Sequence, residues 1–316
     1  MLVCLIFALL VPEAASAVDA SQNHAADEKN TVFDVSIGTE LMSGDTTYGI
    51  GGPVTYADGK PAGQGLQHFP FSELEWPLNI WLARIDATMH VGSSWRINAK
   101  LKKNISDPHD HMLDSDWVIP GSLDVYSESN ISDFDAMVWD VDVEWAFLQG
   151  QSWELYAGAG YQYQDFSYDS RLIMQYSPSG LFPELNLYGN GRNTVAYDIS
   201  YAMVYFVVGT AFSVTPEFSI AGSFSYSPVV EAEDEDAHLA TYKTSTGNME
   251  GDAIMVNVSG TYALKTPWFL EAGINYTAID VDGDQQQFSH GVNTYTVHEE
   301  SESRQTSAYL TLGCRF

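Results

Sequence analysis

Apolar and polar residues alternate along several windows of the chain, each about ten positions long. In the clearest window the apolar positions are Trp139, Val141, Val143, Trp145 and Phe147. Acidic residues stand between most of them, and residues 95–102 and 254–262 repeat the alternation. Since neighbouring side chains of a strand point to opposite faces, each window predicts a strand with one polar and one apolar face. A membrane barrel with a polar lumen has this pattern, and a soluble sandwich has it with the apolar face inward.

The windows and the segments between them predict ten strands. These strands lie near residues 31–42, 70–89, 95–112, 135–148, 153–168, 195–212, 217–230, 252–264, 268–281 and 305–316. Short connections at 90–94, 149–152, 213–216 and 265–267 alternate with long ones at 43–69, 113–134, 169–194, 231–251 and 282–304. Short periplasmic turns and long extracellular loops alternate in this way in outer-membrane barrels. We therefore expect an all-β fold, a transmembrane antiparallel up-and-down β-barrel of about ten strands.

The two ends of the chain favour the membrane barrel over the sandwich. Residues 2–11 are apolar and Ala15-Ser16-Ala17 reads as a cleavage site, so we expect a signal peptide at 1–17 and a single barrel domain at 18–316. No apolar stretch reaches the roughly 20 residues of a membrane-spanning helix. Alternate residues at the other end are apolar, and the chain ends in Phe316. A terminal strand with an aromatic last residue resembles the signal by which outer-membrane barrels are recognised for insertion.

The chain is strongly acidic, with 13 Lys and Arg against 42 Asp and Glu and a formal net charge of −29. This balance argues against nucleic acid as a partner and favours cationic peptides or proteins.

Two polar strings of the sequence have the spacing of one strand face. Asp114 and Asp116 form the first, and Asp234, Asp236 and His238 form the second. Asp114 lies 22 residues after the short turn at Gly92, and Asp236 lies 21 residues after the short turn at Thr215. At about 3.4 Å per residue both strings reach the same height. The third and seventh of ten strands stand opposite each other, so the strings should face across the extracellular mouth.

The residues at this mouth are suited to the activation of water. Asp236 can orient the His238 imidazole and raise its basicity, and the Asp114/Asp116 pair can hold a water molecule opposite. Two neighbouring carboxylates repel, so one of them should keep a proton near neutral pH.

One point of this prediction is open: whether Asp236 and His238 on the seventh strand point into the barrel or to lipid. Ile220, Phe224 and Tyr226 point to lipid, and unbroken alternation would send Asp236 and His238 outward as well. We expect a β-bulge near Pro228, which would turn them inward.

These strings also allow two other interpretations. His109, His111 and Asp114 could bind zinc, but the Asp107-Pro108 turn makes a poor metal cage, so we expect no metal. An acidic, solvated loop with an incidental histidine is the second interpretation.

The chain resembles the omptins, ten-stranded outer-membrane endopeptidases of Gram-negative bacteria, over essentially its whole mature length. The matching strings are Ser36-Ile37-Gly38-Thr39, Leu74-Glu75-Trp76, Asp114-Ser115-Asp116-Trp117, Ala159-Gly160-Tyr161-Gln162, and Val230-Glu231 followed by Asp234, Asp236 and His238. The resemblance implies that Asp236 and His238 are the catalytic pair and that Asp114 and Asp116 oppose them. It also implies cleavage beside or between basic residues, with Asp234 lining the pocket for the basic side chain. Independently of the resemblance, Glu231 and the neighbouring acids Glu233, Asp234 and Glu235 fit substrate binding, since a mouth lined with one sign of charge concentrates cationic peptides.

Two departures from the omptin pattern affect the expected substrate specificity and the expected requirement for lipopolysaccharide. The second specificity acid of the family aligns with Tyr48 here, and Asp45 or Glu40 could take its place. Omptins require lipopolysaccharide, but Tyr163 and Asp165 stand at positions where the family has an acid and an arginine. We expect no metal or organic cofactor, with lipopolysaccharide of the outer membrane as an activator that this chain binds through other residues or needs little.

The sequence therefore predicts an outer-membrane endopeptidase whose active site faces the extracellular side and whose substrates are cationic peptides or proteins. The competing prediction is a non-enzymatic adhesin or receptor barrel that binds cationic host proteins with its long loops.

Overall fold

The computed structural model describes residues 31–63 and 67–316. The predicted signal peptide lies outside the described residues. The β-strands are β1 Thr31–Tyr56, β2 Ser72–Pro77, β3 Ile80–Val91, β4 Trp95–Asn104, β5 His111–Asp116, β6 Val125–Gln149, β7 Trp153–Tyr176, β8 Leu187–Tyr188, β9 Asn193–Ser213, β10 Phe218–His238, β11 Lys243–Ala263, β12 Trp268–Ser289 and β13 Val292–Arg315. A short 3-10 helix spans Pro183–Leu185. No helix in the described part of the chain is long and apolar enough to cross a membrane.

The strands form one closed antiparallel ring. From β1 the ring runs through β3, β4, β6, β7, β9, β10, β11 and β12 to β13, which pairs with β1 again. Two of the ten barrel strands are interrupted: β2 and β3 form one, and β4 and β5 form the other. At the end of the barrel that carries His238, β2 and β5 therefore replace β3 and β4 between β1 and β6. The prediction of a ten-stranded β-barrel is confirmed.

The predicted alternation separates an apolar outer wall from a polar lumen. On β4, Trp95 and Leu101 are exposed on the outer face, whereas Lys102 points inward and forms an ion pair with Glu40 at 2.8 Å. Arg84 also contacts Glu40 at 2.8 Å, and both of these side chains are buried. Charged groups removed from water need such partners, so ion pairs stabilise this part of the lumen.

An aromatic layer fills the barrel above this charged region. The Trp76 and Tyr197 rings stack with centroids 5.0 Å apart, and Tyr48 stacks on the other side of Tyr197 at 5.0 Å. All three side chains are almost completely buried. We call Tyr48, Trp76, Tyr168 and Tyr197 the aromatic layer, and it forms the floor beneath the predicted site.

Four of the five long loops of the sequence prediction are more than half strand in the structure, and this corrects the expected loop lengths. β10 continues to His238 and β11 begins at Lys243, so only residues 239–242 connect them. β10 has 21 residues, about twice the 9–11 needed to cross the bilayer. Above the lipid both faces of a strand can be polar, and the alternation that reveals a strand in the sequence disappears although the ladder continues.

The bulge expected near Pro228 is present. Ser227 pairs with Ala253 and Val230 with Gly251, so three steps on β10 match two on β11, and the register to β9 shifts at the same place. Ser227 and Val230 are both buried, whereas Pro228 is exposed. One extra residue in a strand reverses the facing of everything beyond it. Asp234 and Asp236 are consequently buried inside the barrel.

Candidate active site

A cavity of about 150 Å³ opens at the end of the barrel above the aromatic layer. Strands from both sides of the ring contribute to it, as the height comparison in the sequence predicts. Its lining residues are Tyr48, Ile50, Phe71, Ser72, Leu74, Asp114, Asp116, Asp236, His238, Lys243 and Gln287. The structure thus brings together the four residues expected to activate water.

Asp236 and His238 are hydrogen-bonded to each other. His238 Nε2 lies 3.1 Å from Asp236 Oδ2. Burial lowers the pKa of His238, but the Asp236 carboxylate outweighs this effect, and the net pKa is raised. Burial likewise raises the pKa of Asp236, yet His238 and the hydrogen bond from Tyr48 bring it below its usual value. Asp236 is therefore ionised over the neutral range, and its charge makes His238 a stronger base.

Tyr48 has a different place from the one the sequence suggested. Its hydroxyl donates a hydrogen bond to Asp236 Oδ2, the same oxygen that bonds His238. Burial, followed by the charge of Asp236, raises the pKa of Tyr48 well above its usual value, so the hydroxyl keeps its proton and remains a donor. Tyr48 lines the cavity, but its polar atom orients Asp236.

Asp114 and Asp116 lie on β5, at the opposite side of the cavity from His238. Burial, then repulsion from Asp116, raises the pKa of Asp114 to about 8. Burial also raises the pKa of Asp116, against the hydrogen bond from Ser72. The pair therefore holds a proton at neutral pH and can both donate and accept a hydrogen bond.

The two acids assigned to substrate binding lie on opposite faces of β10. Asp234 is buried, two residues below Asp236 on the inner face. Glu231 is exposed on the outer face, because it follows the inward-facing Val230 by one position. The structure does not bring Glu231 to the site, contrary to the expectation from the sequence.

The alternative acids named for the position of Tyr48 do not reach the site either. Glu40 is occupied by its ion pairs with Arg84 and Lys102 in the lumen. Asp45 accepts a hydrogen bond from Thr47 and lies near Glu75.

Glu299 on β13 is an acid of this region that the sequence analysis missed. Its side chain is completely buried and lies against Asp234, where Gly247 of the intervening β11 leaves space for both carboxylates. Burial, then Asp234, raises the pKa of Glu299 well above its usual value. The sequence predicts a loop at 282–304 and therefore no inward-facing acid there. In the structure a polar inner face alternates along this segment, with Glu299, Ser301, Ser303, Gln305 and Ser307.

Within residues 31–63 and 67–316, no group of three or more His, Cys, Asp and Glu side chains is arranged to hold a metal ion. His111, considered above as a zinc ligand, instead bonds Glu128.

The comparisons with known proteins agree with this architecture. A model of the omptin family matches residues 67–316. The chain belongs to the omptin family. The fold of this omptin is similar to that of the outer membrane protease OmpT from Escherichia coli, with a TM-score of 0.72 and 18% identity over 94% of this chain and 100% of that chain. Like the rest of the family, it is an outer-membrane β-barrel of a bacterium.

Two proteins called Protease 7, from Escherichia coli O157:H7 and strain K12, are 25% and 24% identical to this omptin over 196 residues. The matched region covers 58% of this chain and 61% of each relative. The omptin chain thus matches somewhat less than two thirds of the length of these relatives.

Proposed function

We propose that this omptin is an outer-membrane endopeptidase that hydrolyses peptide bonds beside or between basic residues at the extracellular mouth. The observation that carries the proposal is one cavity in which an Asp236-bound His238 faces the Asp114/Asp116 pair. A histidine base, a carboxylate that orients it and a second polar wall are what hydrolysis by an activated water requires.

The reaction begins with attack of water on the peptide carbonyl. With Nε2–H donating to Asp236, His238 carries a lone pair on Nδ1, which takes a proton from the water. The water oxygen bonds to the carbonyl carbon, and the electron pair of the C=O bond moves to its oxygen. When this intermediate collapses, the C–N bond breaks and His238 returns the proton to the leaving nitrogen.

The Asp114/Asp116 pair acts on the other side of the same water. Its ionised oxygen accepts a hydrogen bond from the water, and its remaining proton is available to the negative charge that develops on the carbonyl oxygen. Both contributions depend on the pair keeping one proton, which its burial favours.

The preference for basic residues is supported by charge. Asp234 lies just below the Asp236–His238 pair, and the chain has a net charge of −29. The acids that line the cavity outnumber its lysine, Lys243, and a mouth with such an excess of negative charge attracts cationic peptides and raises their local concentration.

Lipopolysaccharide is proposed as an activator that this chain binds weakly or through residues outside the family's positions. On the outer wall Tyr163 packs on Trp139, with ring centroids 5.9 Å apart. Asp165 pairs across the ladder with Ser200 and lies near Asp198. This patch adds negative charge where an anionic lipid would need cations.

The test is cleavage of an internally quenched peptide with an Arg-Arg pair by protein refolded in detergent with lipopolysaccharide. We expect His238→Ala to lose about 10²–10⁴-fold in kcat, the contribution typical of a general base. His111→Ala is the matched control, since it removes a histidine that bonds Glu128 away from the cavity, and it should retain full activity. Equal rates for His238→Ala and wild type would rule out this mechanism. Binding of the peptide without any cleavage by the wild type would favour a receptor instead.

A further inference from the structure

We propose that Glu299 is the second acid of the pocket that receives the basic side chain of the substrate, and that it acts together with Asp234. This inference rests on the proposed endopeptidase function and deepens it. It assigns to β13 a role that the resemblance placed on β1.

The geometry places two carboxylates at one point of the inner wall. Asp234 is 6% exposed and Glu299 is 0% exposed. Asp234 pairs across the ladder with Gly247, and any Cβ at Gly247 would collide with the carboxylate oxygens of both acids. The glycine therefore makes the approach of the acids possible.

The two acids lack the hydrogen bonds that buried carboxylates normally have. Both oxygens of Asp234 and Oε2 of Glu299 are buried without a well-aligned donor in the described part of the chain. Glu299 Oε1 alone accepts a clear hydrogen bond, from Gln285 Nε2 at 2.7 Å. Asp234 has only poorly aligned contacts to the Gly247 N–H, the Tyr197 hydroxyl and Glu299. Buried polar atoms are almost always satisfied in folded proteins, so this group of oxygens indicates a site for a further donor.

The charges of the surrounding groups indicate that this donor is a cation. The titratable groups that face the two acids are Asp236 and the tyrosines Tyr48, Tyr197 and Tyr201, and none of these carries a positive charge. Without a ligand, the acids avoid repulsion by sharing a proton. A guanidinium or ammonium group between them would supply several N–H donors and neutralise the charge at once.

The path from the cavity to the acids is short. Gln287 lines the cavity and donates to Gln285, which in turn donates to Glu299. Gln287 Oε1 is itself buried and unpartnered. In this proposal the Gln287 side chain moves aside to admit the basic group of the substrate.

The experiment compares peptides that differ at one residue beside the scissile bond, either arginine or citrulline, which has the same shape without the charge. In Glu299→Gln we expect the ratio of kcat/KM for arginine over citrulline to fall about 10-fold or more, the loss typical of a buried contact to a charged group. The change should appear in KM, with kcat for the arginine peptide nearly unchanged. Glu300→Gln is the matched control, because Glu300 is the next residue of β13 and is exposed on the outer face.

Gly247→Ala is the second variant and serves if Glu299→Gln does not fold. Its added methyl meets only the movable ends of two side chains, so the backbone can stay in place while the two acids separate, and the arginine preference should fall again. An arginine-to-citrulline ratio that stays within twofold of the wild type in both variants overturns the role of Glu299. It leaves the proposed function intact, whereas a wild-type protein that cleaves no basic peptide overturns the proposed function itself.

Discussion

At Asp236 two donors converge on a single carboxylate oxygen. Tyr48 and His238 both bond Oδ2, and Tyr48 is held by stacking on Tyr197. The hydroxyl holds the carboxylate in place and disperses part of its negative charge. Only the remaining charge stabilises the protonated imidazole of His238. In the proposed mechanism, Tyr48 is thus a positioning residue whose effect reaches the reaction through Asp236.

We therefore expect Tyr48→Phe to lower kcat about 10- to 100-fold, the effect of losing a hydrogen bond to a charged group. His238 must be neutral to act as a base, and its pKa is raised, so the rate rises as the pH increases through that pKa. Without Tyr48 the full charge of Asp236 stabilises protonated His238, and this rising limb should move to higher pH. The measurement is the pH profile of kcat for the Arg-Arg peptide.

Tyr201→Phe is the control for this change. Tyr201 is also buried beside β13, but its hydroxyl lies 3.4 Å from Ser301 and does not bond Asp236. If the two variants have the same pH profile as the wild type, Tyr48 does not tune His238.

At the scale of the strand, the bulge in β10 decides which residues the cavity contains. Ser227 Oγ lies 2.8 Å from the carbonyl oxygens of both Val204 and Val229, and its single proton is shared between these two backbone acceptors at the interrupted ladder. Pro228 has no N–H to lose at this point. The inner face continues with Val230, and Asp234 and Asp236 follow it.

Insertion of one alanine after Val230 should turn the upper part of β10 over, because every residue beyond the insertion changes face. We expect kcat to fall about 10²–10⁴-fold, the contribution of a general base, since Asp236 and His238 would leave the cavity. Cleavage of the Arg-Arg peptide by detergent-refolded protein measures the change. Deletion of Val229 in the inserted chain restores the number of residues in β10 and the inward facing of Asp236, and it should restore cleavage. A fully active insertion variant would show that the facing of β10 does not position the site.

The residues of the site differ in how well the sequence predicts them. The sequence predicts four of these residues, because their spacing by two and their distance from the short turns can both be counted along the chain. They are Asp114, Asp116, Asp236 and His238. The sequence does not reveal Glu299, since a strand with polar residues on both faces above the lipid has the same pattern as a loop. The role of Tyr48 also needs the structure, because a hydrogen bond between β1 and β10 has no local signature.

At the scale of the whole molecule, the lumen is stabilised by a network centred on Glu40. Arg84 and Lys102 bond its carboxylate at 2.8 Å each, and Ser307 donates to it at 2.7 Å. These contacts join β1, β3, β4 and β13, so a single side chain connects four strands of the wall.

Glu40→Ala should destabilise the barrel by about 3–5 kcal/mol, because it leaves the half-buried Lys102 without its partner and the buried Arg84 with Asp86 alone. Urea unfolding in detergent micelles, followed by tryptophan fluorescence, measures the free energy of unfolding. Glu302→Gln removes an exposed ion pair with Arg304 and should cost no more than about 1 kcal/mol. Equal stability of Glu40→Ala and Glu302→Gln would contradict the role of the network.

The aromatic layer has a consequence for the passage of solutes through the membrane. Trp76, Tyr168 and Tyr197 are at most 1% exposed, and they separate the cavity at the mouth from the charged lumen below. These buried rings lie across the path of a solute that enters from outside, so we expect them to block passage along the lumen. The fragments that the proposed cleavage releases at the mouth should then return to the medium, and the permeability barrier of the cell should be preserved.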